Sequence, residues 1–338
     1  MTGADAHWAH VCTAAAAAGV PLVGAAAPDA LDEPHRHWRE WVTAGRHAGM
    51  SWLAADGDVR REPARWFDGC RSIVVGGFPY AGEPLPGPLR IARFARGEDY
   101  HRVVRHRLQT LLSELQREDP AVRGRVAVDT APLMEKPLAV RAGLGFIGRN
   151  TCLIHPGHGS YLCLGVLLLN IPLPTSPSAD AGGCGDCRRC LEACPTGALA
   201  EPGVLDARRC LAYLTIEHRE TIPPEFRGRL AGNLFGCDRC QEACPFNHGP
   251  SLPPVPELAG AEDATVPTPA ELTRMSSREF RRRLGRTALA RAGRRGLLRN
   301  WAALIPELPS PPDPETLAIA RQRHPLVDRQ ITAFERTR

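Results

Sequence analysis

Eight of the chain's twelve cysteines fall within 61 residues, as CGDCRRCLEACP, an isolated Cys210, and CDRCQEACP. No other feature restricts the fold as strongly, because thiolates at these spacings converge on inorganic centres and draw the backbone around them. The first run sets Cys184, Cys187, Cys190 and Cys194 before Pro195. This is the bacterial-ferredoxin spacing, in which the fourth cysteine serves the other of two [4Fe–4S] clusters. The second run, Cys237, Cys240 and Cys244 before Pro245, is one cysteine short, and Cys210 can fill the gap. One expected ligand set is therefore Cys184, Cys187, Cys190 and Cys244, and the other is Cys194, Cys210, Cys237 and Cys240. Exchanging fourth ligands ties both segments into one small ferredoxin-like domain and keeps the clusters within electron-hopping range. Paired C-x2-C steps also suit tetrahedral zinc, but zinc explains neither the triplet spacing nor the Cys-Pro endings. Disulfide frameworks belong to short secreted chains. Cys12, Cys70, Cys152 and Cys163 lie in apolar contexts and read as small core residues.

A length of 338 residues leaves room for two or three domains. No apolar run reaches membrane-spanning length and no export signal is evident, so the expected location is cytoplasmic, with no membrane partner. The net charge of +5 is unevenly spread: Arg274 to Arg299 holds ten arginines and one acid, Glu279. Such a stripe suits phosphate, or is the solvated face of a helix in an arginine-biased chain whose single lysine is Lys136.

The N-terminal portion alternates helical and strand-like pieces. Arg71 to Phe78 reads as a buried strand, Asp99 to Glu118 as an amphipathic helix, and Val126 to Val128 as a short strand delivering Asp129. Tyr161 to Leu173 reads as one or two core strands, Pro172 to Gly183 as a linker, and the passage from Pro250 to Pro269 as extended over the surface. From Glu271 the pattern is helical, with a break near Pro306 to Pro314. The expected architecture is an α/β (α+β) N-terminal domain over 1–175, a two-cluster domain over 176–250, and a proline-rich linker with a short α-helical tail over 251–338.

Three further motifs have competing readings. Gly143-Leu-Gly145-Phe-Ile-Gly148 matches a dinucleotide fingerprint, but helix precedes it and no acid follows at the required distance. It reads as a tight turn near a ligand. Asp129 at a strand end is either an acid whose pKa desolvation raises or the cap of the Pro132–Glu135 segment. His155 and His158 have metal-compatible spacing in a polar loop. The cysteine triplet of radical-adenosylmethionine enzymes is absent.

Taken together, RFARGEDYHRVVRHRL, VDTAPLMEKPLAVRAGLGFIGRN, GSYLCLG, NIPLP, the cysteine runs, LDARRCLAYLTIE, RRGLLRN and HPLVD resemble the epoxyqueuosine reductases. The resemblance runs from about Gly49 to the C-terminus. It implies a cobalamin-binding N-terminal domain, a two-cluster domain and a helical tail that holds tRNA. It implies reduction of epoxyqueuosine to queuosine at the wobble position, electrons passing through both clusters to cobalamin and Asp129 serving as proton donor. Arg60 matches a position set against cobalamin, and Asp129 lies at the same cofactor. The tail arginines Arg281, Arg282, Arg283, Arg294, Arg295 and Arg299 match the tRNA-holding region. The implied partners are tRNA carrying epoxyqueuosine and a low-potential donor of ferredoxin or flavodoxin type; the sequence itself shows no heptad or large apolar stripe that demands a dimer, so a monomer is expected. Val166 stands where relatives carry glutamate, and no arginine follows Asn233, departures that bear on the substrate pocket or tRNA docking. The same parts suit two other readings: a reductive dehalogenase-like paralogue, and a non-catalytic, RNA-binding electron carrier.

Overall fold

The computed structural model describes residues 3–80, 87–177, 183–249, 252–260 and 266–336. Helix α1 (Gly3–Ala17) leads into strand β1 (Leu22–Ala26), and helices α2 (Asp32–Thr43) and α3 (Gly57–Arg61) precede the long strand β2 (Ser72–Pro79). Next come β3 (Arg90–Ile91), α4 (Tyr100–Glu118), β4 (Gly124–Ala127) and α5 (Glu135–Arg141). A small hairpin of β5 (Phe146–Ile147) and β6 (Leu153–Ile154) precedes β7 (Leu162–Leu169). The main sheet has the order β1-β2-β7-β4, with every neighbouring pair antiparallel.

β2 and β7 are apolar at nearly every position because this sheet is covered on both faces. Side chains alternate along a strand. Val74 and Phe78 of β2 and Leu167 and Leu169 of β7 pack with α1 and α4, whereas Ile73, Val75, Val166 and Leu168 pack with α5. Each fully buried leucine contributes about 1.5–3 kcal/mol by leaving water. The expected helix is α4, capped by Asp99 through the His101 N–H and burying Val104, Leu108, Leu111 and Leu115. Gly165 lets α4 approach: a Cβ there would stand 2.5 Å from Val104 and 2.6 Å from Leu108. Val166 is fully buried, so the expected departure from glutamate falls on core packing and not on a solvent-facing pocket.

The cysteine-bearing segment contributes α6 (Arg189–Glu192), α7 (Leu211–Ile216), β8 (Asn233–Phe235) and α8 (Arg239–Glu242). β8 pairs in parallel with β3, stitching residues 90–91 into this unit. Leu234, which stands where an arginine was expected after Asn233, is buried in the apolar core of this unit, so that departure is structural as well. The remaining helices are α9 (Pro256–Ala259), α10 (Pro269–Arg274), α11 (Ser277–Leu284), α12 (Gly293–Leu304), α13 (Pro314–Arg323) and α14 (Pro325–Glu335). Thr268 and Glu271 form a capping box on α10, while Ser276 and Asp313 cap α11 and α13.

The tail has no separate core. Leu272, Phe280, Leu298, Trp301 and Phe334 form one apolar cluster with Leu211, Leu214, Phe226 and Phe235 of the cysteine-bearing unit. The passage expected to lie extended over the surface instead buries Val255 and Leu258 in the first core, and its Glu257 pairs with Arg107 at 2.8 Å. Residues 250, 251 and 261–265 of that passage lie outside the described residues, as do 178–182 of the expected linker. Within that linker, Ser176 exchanges two hydrogen bonds with the Ala25 backbone, both at 2.9 Å. No helix of the described residues is long and apolar enough to cross a membrane.

Candidate iron–sulfur sites and catalytic acid

Each cysteine run wraps into a turn followed by a one-turn helix, α6 after Cys187 and α8 after Cys237. Cys184, Cys187, Cys190 and Cys244, the first expected set, line one cavity with Arg149, Asn150, Ile154, Pro245 and Phe246. Burial is the main influence raising the Cys190 and Cys244 thiols, and beyond it both feel Cys184 and Cys187. In the second set, burial pushes Cys237 up to about 12, with added influence from Cys210 and Cys194; Cys240 feels Cys210 and Cys237. The first set thus shares one cavity, and Cys194, Cys210, Cys237 and Cys240 lie within electrostatic reach of one another. A bare thiolate is costly in such surroundings, and iron would supply the compensating charge. Backbone N–H groups already point at sulfur: Arg149 N donates to Cys184 Sγ at 3.4 Å and Ala198 N to Cys194 Sγ at 3.3 Å. Hydrogen bonds of this kind tune a cluster's potential, and with them the site suits iron–sulfur clusters.

The glycine-rich motif forms the turn that carries Arg149. Gly145 has φ +139°, and a Cβ there would lie 2.1 Å from Ile154 O. The reading as a tight turn beside a ligand site agrees with this placement. Cys152, read as a core residue, lies within electrostatic reach of Cys210 and Cys240 of one set and of Cys244 of the other. His155 and His158 stack at 4.5 Å, and their Nδ1 atoms accept from Gly157 N and Leu252 N, which accounts for both as loop packing. Among the described residues, no three His, Cys, Asp or Glu side chains are placed to hold a single metal ion.

Asp129 follows β4 with φ +56°, a left-handed backbone conformation uncommon for a side chain with a Cβ. Its N–H donates to Glu135 Oε1 at 2.6 Å, and its Oδ2 meets His101 Nε2 at 3.0 Å. His101 Nδ1 in turn meets Asp99 Oδ1 at 2.7 Å. Three elements thus deliver one hydrogen-bonded chain: Asp99 and His101 from the start of α4, Asp129 from the end of β4, and Glu135 from the first turn of α5. Asp129 does not cap α5, whose N-cap is Met134 without a side-chain bond. Its side chain is 57% exposed.

The charge state of Asp129 departs from expectation. Desolvation pulls its pKa up, as anticipated, but the hydrogen bond and charge of His101, with the Tyr100 hydroxyl and Lys136, outweigh it and leave the pKa below the ordinary value. Desolvation lowers His101, yet Asp129 and Asp99 together lift it from 6.5 to about 9. Glu135 is the carboxyl raised by burial and by Asp129's charge, to about 8. At neutral pH the shared proton therefore resides on His101. Tyr100, His101 and Glu135 escaped the sequence reading because no fixed spacing links them to Asp129. Lys136 ties this site to the cysteine region by donating to Thr151 O at 2.9 Å.

Arg60 is buried, and its Nε and Nη2 donate to Ala55 O at 2.9 Å and Trp52 O at 3.1 Å. Arg281, Arg282, Arg283 and Arg295 are exposed, Arg283 pairing with Glu271 at 3.1 Å. Arg294 is half-buried and donates to the Met275 carbonyl. Arg299, expected to contact tRNA, is instead 1% exposed. It donates to Leu214 O at 2.9 Å, His218 O at 3.1 Å and Asn300 Oδ1 at 2.8 Å. The chain end of α7 needs partners for its last carbonyls, and Arg299 supplies them.

A family model described as "4Fe-4S double cluster binding domain" matches residues 183–247, and one described as "Epoxyqueuosine reductase QueG, DUF1730" matches residues 60–130. The chain is 39% identical over 303 residues to the epoxyqueuosine reductase of Xanthomonas campestris pv. campestris, covering 87% of this chain and 85% of that protein. It is similar to a crystal structure of epoxyqueuosine reductase with an epoxyqueuosine-modified tRNA-Tyr stem loop. That likeness has a TM-score of 0.85 and 28% identity, and covers 97% of this chain and 89% of the other. An epoxyqueuosine reductase structure from Bacillus subtilis, with its catalytic aspartate loop swung out of the active site, is equally similar. Its TM-score is 0.85 and its identity 28%, over 97% of this chain and 88% of that one.

Proposed function

The chain belongs to the epoxyqueuosine reductase family, and on that premise we propose that it reduces epoxyqueuosine in tRNA to queuosine, with Asp129 delivering the proton to the departing oxygen. Converting the epoxide to an alkene and water consumes two electrons and two protons. The chain divides these between two regions. The cysteine sets hold two [4Fe–4S] clusters that carry single electrons, drawn from a low-potential ferredoxin- or flavodoxin-type donor. The monomer reading keeps both regions in one chain.

Cobalamin fits beside Asp129 on one observation: a polar side chain on an unfavourable left-handed backbone is presented to the outside, while His101 and Glu135 hold it from behind. When bound, cobalamin supplies a low-valent cobalt centre that is a strong nucleophile or electron donor towards the epoxide carbon. Arg60 shapes the wall there by fixing the turn at Trp52. Residues 1–175 would hold this group, 176–250 the clusters, and the tail would hold tRNA through Arg281, Arg282, Arg283 and Arg295, the exposed members of the expected set.

The observation that carries the mechanism is the Asp99–His101–Asp129 chain. Asp129 alone is a carboxylate at neutral pH, since its pKa lies below the ordinary value, and a carboxylate donates nothing. With His101 protonated at Nε2, negative charge developing on the substrate oxygen draws a proton through Asp129, and His101 replaces it. Asp99 fixes the ring and stabilises its positive form. Glu135 holds the Asp129 backbone in register through the N–H contact.

Nucleoside mass spectrometry tests the whole reading. Cluster-replete protein is incubated anaerobically with epoxyqueuosine-bearing tRNA, cobalamin and a strong reductant. Queuosine is expected, and its formation is expected to slow about 10²–10⁴-fold with Asp129→Ala. An unchanged epoxide, with clusters and cobalamin demonstrably bound, overturns the assignment of substrate.

A further inference from the structure

Among the described residues, Trp52 is the most exposed large hydrophobic side chain, 48% open to water. An indole left in water on a loose loop would mean little. This one stands on a short turn, Ser51–Ala54, whose carbonyls are fastened by the buried Arg60 and the half-buried Trp38. Arg60 binds the carbonyls of Trp52 and Ala55, and Trp38 Nε1 donates to Leu53 O at 2.9 Å. The backbone is fixed and the ring is turned outward, so the surface is organised before any partner arrives.

A second residue, from the far end of the sequence, completes the surface. The guanidinium carbon of Arg291 lies 5.3 Å from the centre of the Trp52 ring. Arg291 is held in turn: its Nε and Nη2 donate to the two oxygens of Glu217, each at 2.8 Å, and Arg219 Nη1 donates to Arg291 O at 3.1 Å. The composition-based reading of the arginine stripe did not distinguish Arg291 from its neighbours. Its location does, because it lies within electrostatic reach of Asp129 and Tyr100, while Arg60 lies within that of Glu135. The pair therefore stands at the approach to the acid site, beside the exposed Arg219.

We propose that Trp52 and Arg291 form a stacking platform for a nucleobase of the anticodon loop adjacent to the modified nucleotide. This rests on the tRNA-modifying function proposed above and adds where the neighbouring base is held. Every base has a π face, and both indole and guanidinium planes stack on it without reading its edge. The platform grips the loop without demanding one sequence, and Arg219 offers the adjoining phosphate a charge.

The test is fluorescence anisotropy with the full chain, its clusters loaded, and a labelled, unmodified tyrosine-tRNA anticodon stem-loop. No cobalamin or turnover is needed. Trp52→Ala is expected to weaken binding about five- to a hundred-fold, and Trp52→Phe by less than about threefold. The slope of log affinity against log salt should stay unchanged in Trp52→Ala, because no phosphate contact is lost. An abasic site beside the wobble position should weaken wild-type binding by the same factor and Trp52→Ala no further. Arg291→Leu, the second variant, should show the same dependence on that base, and cluster absorbance reports that each variant is folded. If wild type binds the stem-loop and Trp52→Ala binds it equally well, the platform is wrong while the function stands. A Trp52→Ala loss that the abasic RNA leaves additive also overturns it. If the wild-type chain binds no stem-loop, the functional reading itself falls.

Discussion

The regions proposed to handle electrons and protons are built on opposite plans. The cysteine sets come from short stretches closed by turns, and their supporting contacts are backbone N–H groups aimed at sulfur. The acid site is assembled from side chains on α4, after β4 and on α5, each holding the next. A ligand set is complete or it is not, whereas a hydrogen-bonded chain weakens by degrees. Damage to the first should be all-or-none and indifferent to pH. Damage to the second should be graded and depend on pH.

The largest effect belongs to the sulfur side. Cys240→Ala is expected to lose the second cluster and all queuosine formation at every pH, read from iron content and nucleoside mass spectrometry. Residual turnover above background would break the contrast. On the proton side, Asp129→Asn should slow turnover about 10²–10⁴-fold, the usual range for a missing general acid. His101→Gln keeps a hydrogen bond but holds no transferable proton, and should cost roughly 10²-fold. In the wild type, turnover should fall as pH rises through about 9, where His101 loses its proton. That alkaline limb should change in the glutamine variant; a superimposable pH profile would show that His101 only props the loop.

The same sign governs stability. His101 is raised from 6.5 to about 9 on folding, so its stabilisation is fully present below about 6.5 and lost as pH climbs through about 9. Asp129, lowered on folding, contributes above its ordinary carboxylate range and loses that contribution in acid.

Smaller effects separate two kinds of tail arginine. Arg299→Met strands several buried carbonyls and should destabilise the chain by on the order of 3 kcal/mol, read from denaturant midpoints. Arg281→Ser should leave those midpoints within about 0.5 kcal/mol. Its mark should be on RNA binding, where the salt slope should drop by about one. Exchange of these two behaviours would contradict the division into buried brace and phosphate contact.

How legible each part was follows from where its partners lie. The cysteine-rich segment could be recognised because coordination leaves a local spacing, and the strands because a doubly covered sheet makes β2 and β7 apolar throughout. Asp129 could be singled out at a strand end, but the direction of its pKa could not. The residue that sets it, His101, lies 28 positions earlier on another element. Arg299 was misread because composition counts charge without saying which side of a helix faces inward. Val255 and Leu258 were hidden by the prolines around them, which suggested an extended path although two apolar side chains there dock into the first core.

The solitary lysine has a practical consequence. Lys136 is exposed, sits one residue from Glu135, and reaches across to Thr151 O beside Cys152. Amine-selective reagents therefore have one side-chain target in the whole protein, and it marks the seam between the acid loop and the cysteine turns. With the terminal α-amine blocked, a single acylating dye would report from that seam, so that its brightness or its protection follows occupancy there without any engineered label.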